Sequence, residues 1–194
     1  MRIGLYLGSF NPIHIGHAHI AQQAQVQHHL DLVWLVVSPQ NPFKQNDALA
    51  PEHHRLAMAH LAFATNNTLR VSDIEFSLPR PSYSIVTLRE FIRQQPSANY
   101  FLIVGEDNLN SFQYWKDFDQ LLELAELLVY PRSNEAVTIP DALSRFASRT
   151  HMLNGALLPV SATRIRDAIR HSLPINGLVA SEVKEYIENN NLYC

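Results

Sequence analysis

Residues 3–17 read IGLYLGSFNPIHIGH, and this stretch decides the fold that we expect for the chain. It begins with a short apolar run, Ile3–Leu7, that ends at Gly8, as expected of a strand buried on both faces of a sheet. Asn11-Pro12 is a turn signal, and a helix can begin near Gly16. The segment therefore predicts a strand, a turn and a helix in succession.

Similar apolar runs recur along the chain, and helix-like stretches separate them. The further strand candidates are Val33–Val37, Leu69–Ile74, Tyr100–Val104, Leu127–Tyr130 and a weaker run, Ala156–Val160. The helix candidates are His17–His29, Pro51–Ala64, Ser84–Gln94, Phe118–Leu128, Ala162–His171 and Ser181–Asn189. This alternation predicts an α/β fold: one Rossmann-like, doubly wound domain over residues 1–194, with a mainly parallel sheet flanked by helices. Ligands of such sheets bind beyond the carboxyl ends of the strands, so the residues after each strand form the candidate site.

Composition excludes several classes of protein. The chain has 194 residues, is 46% hydrophobic and carries a net charge of −3 without a basic block, so we expect neither disorder nor nucleic-acid binding. Cys194 is the only cysteine, which rules out an internal disulfide framework and a cysteine-based zinc site. No apolar run approaches the ~20 residues that span a bilayer. The first ten residues are too short for a secretory signal, so we expect a cytoplasmic protein without membrane contact.

The turn after the first predicted strand suits phosphate chemistry. Gly8 lets the backbone approach a ligand closely, and a helix that begins near Gly16 directs N–H groups and a positive dipole end at the same place. His14 and His17 are three residues apart, so both imidazoles can point the same way from a first helical turn. They could donate hydrogen bonds to a phosphate whose charge grows in the transition state. On these residues alone, a capping or packing role and a metal site remain alternatives.

The ten residues from Gly8 to His17 resemble the signature of the nucleotidyltransferase superfamily marked by His-x-Gly-His. The resemblance implies that His14 and His17 are catalytic and stabilise the α-phosphate of a nucleoside triphosphate during in-line attack. It implies catalysis by positioning and charge stabilisation, without a covalent enzyme intermediate. It also implies an ATP-binding surface formed by Gly8, Ser9, Phe10 and Gly16.

A second signature, Val160-Ser161-Ala162-Thr163-Arg164-Ile165-Arg166, follows the last apolar run. Taken alone, Ser161 is a helix N-cap candidate, and Thr163 and Arg166 lie on the first turn of an ordinary helix or of a phosphate site. The segment resembles the I-S-x-T-x-I-R motif of the same superfamily, with Val160 in place of Ile. The resemblance implies that Ser161 and Thr163 bind the β- and γ-phosphates together with a catalytic Arg166. The C-terminal helices would thereby complete the triphosphate site.

The middle of the chain is similar to one branch of that superfamily. Pro81–Leu88 resembles the P-S-Y-T-x-x-T-L segment of bacterial nicotinate-nucleotide adenylyltransferases, with Ser84 in place of the usual Thr. Ile103–Trp115 resembles their I-x-G-x-D-x-L-x-x-F-x-x-W stretch, and Tyr130-Pro131-Arg132 is similar to their next Arg-bearing turn. The resemblance implies that ATP and nicotinate mononucleotide react to give deamido-NAD and pyrophosphate. Mg²⁺ would be bound through the ATP phosphates, with no metal ligand from protein side chains.

The same resemblance implies further site residues. Gly105 and Asp107 would contact ATP, and Lys44 would be catalytic; the loop of Lys44 has Phe43 where many relatives have His. The implied nicotinate mononucleotide ligands are Tyr83, Ser84, Thr87, Trp115 and Arg132. The residues themselves agree, because an indole offers a stacking face and a helix start offers donors to a carboxylate. Core packing of the two aromatic rings, and a capping or first-turn role for Asp107, are the alternatives.

Three other functions remain open from the sequence. The first is adenylyl transfer to another acceptor, such as phosphopantetheine or nicotinamide mononucleotide. The second is a non-catalytic nucleotide sensor that uses the same crevice. The third is a histidine-based metal-binding protein. The sequence also leaves open a homo-oligomer.

Overall fold

The computed structural model describes residues 1–40, 49–133 and 135–194 and contains one six-stranded sheet. The strands are β1 (Arg2–Gly8), β2 (Leu32–Val37), β3 (Leu69–Ser72), β4 (Asn99–Gly105), β5 (Ala125–Tyr130) and β6 (Thr150–Met152). Their order is β3-β2-β1-β4-β5-β6, and every neighbouring pair is parallel. This doubly wound order confirms the predicted α/β fold, and it places the topological switch point between β1 and β4.

Seven α-helices connect and cover the strands in the described part of the chain. They are α1 (Ile15–Gln27), α2 (Glu52–Ala62), α3 (Ser84–Gln94), α4 (Glu106–Ser111), α5 (Phe118–Leu124), α6 (Ala162–Arg170) and α7 (Ser181–Asn189). Short 3₁₀ helices occupy Ile74–Ser77, Phe112–Tyr114 and Asp141–Arg149. None of the described helices is long and apolar enough to cross a membrane.

Two hydrophobic layers enclose the sheet. Helices α1, α2, α6 and α7 pack on one face, and α3, α4, α5 and the 3₁₀ helix Asp141–Arg149 pack on the other. Successive residues of a strand alternate between these layers, so Leu5 lies in the second layer and Tyr6 in the first. Burial on both faces explains why the strands read as continuous apolar runs rather than as alternating patterns.

The last strand lies elsewhere than predicted. Ala156–Val160 forms no strand, and β6 instead occupies Thr150–Met152, paired with β5. The prediction was wrong because an edge strand needs only one partner and can be short and polar: His151 uses its edge position to contact Glu126 Oε2 at 2.6 Å. Pro159, inside the predicted run, has no N–H to donate to a ladder.

The fourth helix prediction was too long. Helix α5 ends at Leu124, and Ala125 begins β5 in register with Tyr100 of β4, whereas the helical pattern ran on to Leu128. Apolar residues fill both the end of the helix and the start of the strand, so periodicity alone did not locate the boundary. Helix α4, directly after β4, was not among the predicted helices, although its start agrees with the alternative first-turn position of Asp107.

Candidate active site

A crevice of about 310 Å³ opens beyond the carboxyl ends of β1 and β4, at the switch point. Its walls are the turn after β1, the first turns of α1 and α6, and the residues after β4 and β5. The predicted site residues that line it are Gly8, Ser9, Phe10, His14, Gly16, His17, Gly105, Asp107, Arg132, Ser161, Thr163 and Arg166. Tertiary folding therefore brings together predicted site residues that are up to 158 positions apart in the chain, Gly8 and Arg166.

The two histidines of the first signature are stacked. Helix α1 begins at Ile15 with His14 as its N-cap, and the ring centroids of His14 and His17 are 3.7 Å apart at an interplanar angle of 22°. The backbone N–H of His14 donates to His17 Nδ1 at 3.2 Å. An accepting Nδ1 leaves the proton of the neutral ring on Nε2. His17 is therefore set up as an Nε2–H donor.

Burial decides the charge of His14. Only 8% of the residue is exposed, and its burial, followed by the positive charge of Arg132, lowers the pKa of His14 to about 4. His14 is therefore neutral near pH 7. A neutral His14 avoids like-charge repulsion within the stacked pair, and it can still offer an N–H to a phosphate oxygen.

Aromatic residues hold the histidine pair in place. Phe10 lies edge-on to His17 with centroids 5.0 Å apart, and Tyr6 lies edge-on to Phe10 at 5.6 Å. Phe10 adopts a φ of 46°, a left-handed conformation that is uncommon for a bulky residue. This conformation turns the ring back under Gly8, where an added Cβ would lie 3.0 Å from Phe10 Cζ.

The two signatures meet at Gly16. A Cβ on Gly16 would lie 2.9 Å from Val160 Cγ1 and 3.0 Å from His14 Nδ1. Only glycine lets the start of α1 approach the residue before α6 this closely. The Ile15 N–H is not free for a ligand, because it donates to Leu178 O at 3.0 Å. The predicted set of free N–H groups at this helix start is thus smaller than the sequence suggested.

The second signature forms the opposite wall. Ser161 is the N-cap of α6, as predicted, and its Oγ accepts the Arg164 N–H at 3.2 Å. Arg166 Nη1 donates to Asn11 O at 2.8 Å, and its Nη2 donates to Thr163 Oγ1 at 3.3 Å. A guanidinium fixed at a helix N-terminus suits phosphate oxygens.

The residues after β4 and β5 form the third side of the crevice. Arg132 Nε lies 3.3 Å from Asp107 Oδ1, and both side chains are largely exposed, so this ion pair adds little to stability. The backbone N–H of Arg132 donates to Glu106 Oε2 at 2.7 Å. A Cβ on Gly105 would lie against Asp107 Oδ1 and 3.2 Å from Arg132 Nη2, so a larger residue here would displace this exposed ion pair.

Three buried polar atoms of the crevice have no hydrogen-bond partner among the described residues: Ser9 Oγ, His14 Nδ1 and His19 Nε2. Buried polar atoms are normally paired, so these three leave hydrogen-bonding capacity just beneath the surface of the crevice. His19 was not predicted. It lies edge-on to Tyr130 at the end of β5, with centroids 6.0 Å apart, and helical spacing gave no sign of that contact.

The predicted nicotinate mononucleotide ligands Tyr83, Ser84, Thr87 and Trp115 do not line this crevice; they lie around the start of α3 on the other face of the sheet. Tyr83 is the N-cap of α3, and Lys116 Nζ lies 4.6 Å from the centroid of its ring. Trp115 stacks on Phe112 with centroids 4.7 Å apart, and its buried Nε1 has no partner among the described residues. Both aromatic residues also pack against the core.

Thr87 is buried, and its hydroxyl already has an acceptor. Its Oγ1 donates to Glu75 Oε1 at 2.7 Å, and burial raises the pKa of Glu75. The hydroxyl therefore anchors α3 to the 3₁₀ helix Ile74–Ser77. Its direct contact with a substrate stays a prediction. Lys44 and Phe43 lie outside the described residues.

Arg55 is a buried residue near the crevice that sequence reasoning missed. It is 1% exposed and donates four hydrogen bonds to backbone oxygens. The acceptors are Ala50 O at 2.8 Å, Ser9 O at 2.7 Å, Ser38 O at 2.7 Å and Pro39 O at 3.1 Å. Its spacing of three and four residues from buried Met58 and Ala59 was a signal, since it places Arg55 on the inward face of α2.

The cytidylyltransferase-like family model matches residues 5–168. A protein of Cytophaga hutchinsonii named "Probable nicotinate-nucleotide adenylyltransferase" is 43% identical over 193 residues, covering 100% of this chain and 98% of its own length. The chain belongs to the nicotinate-nucleotide adenylyltransferases of the cytidylyltransferase-like family. A protein of Flavobacterium psychrophilum with the same name is 39% identical over 193 residues, covering 100% of this chain and 99% of its own length.

The fold of the family is also found in solved structures. The Plasmodium falciparum nicotinic acid mononucleotide adenylyltransferase complexed with NaAD superposes with a TM-score of 0.81, at 18% identity, over 99% of this chain and 97% of that one. The fold is thus shared with this structure, and the family match and the 43% identical relative confirm the family predicted from the two signatures and the middle segments.

Proposed function

We propose that this chain, acting as one nucleotidyltransferase domain over residues 1–194, transfers the adenylyl group of ATP to nicotinate mononucleotide. The products are deamido-NAD and pyrophosphate, in NAD biosynthesis in the cytoplasm. The observation that carries the proposal is the stacked pair of buried His14 and half-buried His17 between the starts of α1 and α6. Membership of the family supports the choice of both substrates.

Charge sets the orientation of ATP in the crevice. The phosphates lie near Arg166 and the starts of α1 and α6, where positive charge and helix dipoles favour anions. The start of α4 carries Glu106 and Asp107, which disfavour a phosphate there. Asp107 instead accepts hydrogen bonds from the ribose hydroxyls of the adenosine. The α-phosphate then lies beside the histidine pair.

Magnesium fits this crevice as a companion of ATP rather than as a resident metal. Among residues 1–40, 49–133 and 135–194, no group of three or more His, Cys, Asp or Glu side chains is arranged to hold a metal ion. Mg²⁺ bound to the triphosphate supplies charge neutralisation. Arg166, Thr163 and Ser161 would hold the phosphate oxygens around it.

The reaction needs orientation and charge stabilisation more than proton transfer. A phosphate oxygen of nicotinate mononucleotide forms a bond to the α-phosphorus, the bond from that phosphorus to the bridging oxygen breaks, and pyrophosphate leaves. The attacking phosphate is already ionised, so no general base is needed. His17 donates from Nε2–H, and neutral His14 donates beside it, to the oxygens on which charge develops. Arg166 steadies the departing pyrophosphate.

Nicotinate mononucleotide, the second substrate, extends from the crevice on one face of the sheet to the start of α3 on the other. Its phosphate reaches the histidine crevice, and its pyridine ring lies toward the start of α3. There Trp115 offers a stacking face, and Tyr83 and Ser84 provide polar contacts for the carboxylate. Arg132 supplies positive charge from the end of β5.

Pyrophosphate release is the test of this proposal. The assay combines ATP, Mg²⁺ and one acceptor: nicotinate mononucleotide, nicotinamide mononucleotide or phosphopantetheine. We expect a strong preference for nicotinate mononucleotide. Preference for another acceptor would support adenylyl transfer but refute nicotinate mononucleotide as the substrate. Binding of ATP without release from any acceptor would instead favour a nucleotide sensor.

A further inference from the structure

The segment after α7 reaches the crevice through one hydrogen bond. The hydroxyl of Tyr193 donates to Asn11 Oδ1 at 2.9 Å. Asn11 is only 5% exposed and lines the crevice, three residues before His14. This contact joins the C-terminal segment to the turn that carries the first signature.

Asn11 in turn connects several parts of the site. Its Oδ1 also accepts the Ala50 N–H at 3.0 Å, and its backbone oxygen accepts Arg166 Nη1 at 2.8 Å. A backbone N–H can only donate, so the contact with Ala50 assigns the amide oxygen to the side that faces Tyr193. Displacement of Asn11 would therefore also displace the guanidinium of Arg166.

The backbone is left-handed at Tyr193 and at the residue before Asn11. Phe10, next to Asn11, has a φ of 46°, and Tyr193 has a φ of 69°. Aromatic residues rarely adopt this left-handed conformation, and it persists only where the surrounding contacts enforce it. Tyr193 is half-buried against the α1 side of the core. Burial raises the pKa of its phenol well above the usual range, so the hydroxyl keeps its proton.

We propose that Tyr193 is a positioning residue of the phosphate site. Its hydroxyl holds Asn11, and through Asn11 it holds the Ser9–Asn11 turn and the side chain of Arg166. The inference rests on the proposed function in that the phosphates bound there belong to ATP. Neither signature includes Tyr193, and only the tertiary fold brings it to the turn.

The test removes a single hydroxyl with Tyr193→Phe. Loss of one hydrogen bond predicts a rise of about fivefold in KM for MgATP and a fall of about fivefold in kcat/KM for ATP. KM for nicotinate mononucleotide should stay within about twofold, because its ring lies away from this turn. In the ligand-free protein, the Ala50 amide should exchange its hydrogen about fivefold faster, since its acceptor is Asn11 Oδ1.

Tyr186→Phe is the matched control. Tyr186 lies in α7, just before that segment, and its hydroxyl is 2.9 Å from His54 Nδ1 in α2, outside the crevice. We expect this variant to match wild type in KM for MgATP and in Ala50 exchange. Equal effects of the two variants, or wild-type behaviour of Tyr193→Phe, would overturn the inference. If wild type releases no pyrophosphate, the proposed function fails, and Ala50 exchange alone decides whether Tyr193 positions the turn.

Discussion

At the scale of single residues, His17 is the side chain with the clearest chemical assignment. The backbone N–H of His14 donates to its Nδ1, so the proton of the neutral ring sits on Nε2, from which we propose that it stabilises the α-phosphate. This geometry comes from the start of α1 and exists without a substrate. A donor of this kind acts mainly in the transition state, where charge on the phosphate is greatest.

Replacement of His17 by Ala should therefore lower kcat much more than it weakens ATP binding. We expect a loss of about 10²–10³ in kcat, with the dissociation constant of MgATP within about threefold of wild type. Steady-state pyrophosphate release and calorimetric titration measure the two quantities. His53→Ala, on the exposed surface of α2, is the control. A near-normal kcat for His17→Ala would remove this histidine from the mechanism.

The low pKa of His14 predicts a pH-dependent stability. The folded state holds His14 neutral down to about pH 4, whereas the unfolded chain takes up the proton near pH 6.5. Stability contributed by this group is therefore lost as pH falls, by about 2 kcal/mol between pH 7 and pH 5. Urea unfolding of wild type and His14→Gln at both pH values measures it.

Wild type and His14→Gln must be compared, because Glu75 changes the unfolding free energy in the opposite direction as pH falls. Burial raises the pKa of Glu75, so the folded state gains relative stability as this carboxyl takes up its proton. Between pH 7 and pH 5, the His14→Gln variant should lose less unfolding free energy than wild type. The control variant His29→Gln, at an exposed position, should lose as much as wild type. Parallel losses in wild type and His14→Gln would show that His14 is not the group responsible.

At the scale of elements, the approach of α1 to α6 shapes the crevice. Gly16→Ala should push Val160 and the His14 ring away from the start of α1. We expect a loss of about 1–3 kcal/mol in unfolding free energy from overpacking, together with a large fall in kcat. Denaturant unfolding and pyrophosphate release measure the two effects.

Gly4→Ala is the control that separates a loss of stability from a change in the shape of the crevice. An added Cβ there would lie 2.8 Å from Leu30 Cδ1, within the core and away from the crevice. Its loss of stability should be similar to that of Gly16→Ala, but folded Gly4→Ala protein should keep its kcat. Equal losses of kcat in the two variants would argue that activity follows stability rather than the contact between α1 and α6.

At the scale of the whole molecule, Arg55 joins the ends of β1 and β2 to the start of α2. Arg55→Met would keep much of the side-chain volume but leave four backbone oxygens without their donor. We expect a loss of about 3 kcal/mol in unfolding free energy. Arg80→Met, which removes a surface ion pair with Glu52, should cost about 1 kcal/mol or less. Similar losses for both variants would contradict this role of Arg55.

The alternation of apolar runs with amphipathic stretches was enough to predict the doubly wound sheet, because strands buried on both faces must be apolar throughout. The same reasoning misplaced the last strand: Thr150–Met152 is a three-residue edge strand with one apolar residue, too short to give an apolar run, and it pairs with β5 alone. The start of β5 was also missed, since the register with β4 is a contact between distant segments.

The sequence by itself determined the two signatures, since each forms a turn and a helix start within a few residues. Such local geometry depends on nearby residue types, so the position of His14, His17, Ser161 and Arg166 at or near the two helix starts could be predicted from the chain; their roles stay a prediction. Only the tertiary structure decided the protonation of His14, the burial of Arg55 and the contact of Tyr193 with Asn11. These properties depend on desolvation and on hydrogen bonds between segments that are distant in the chain. A local sequence pattern does not specify which distant residue a side chain will contact.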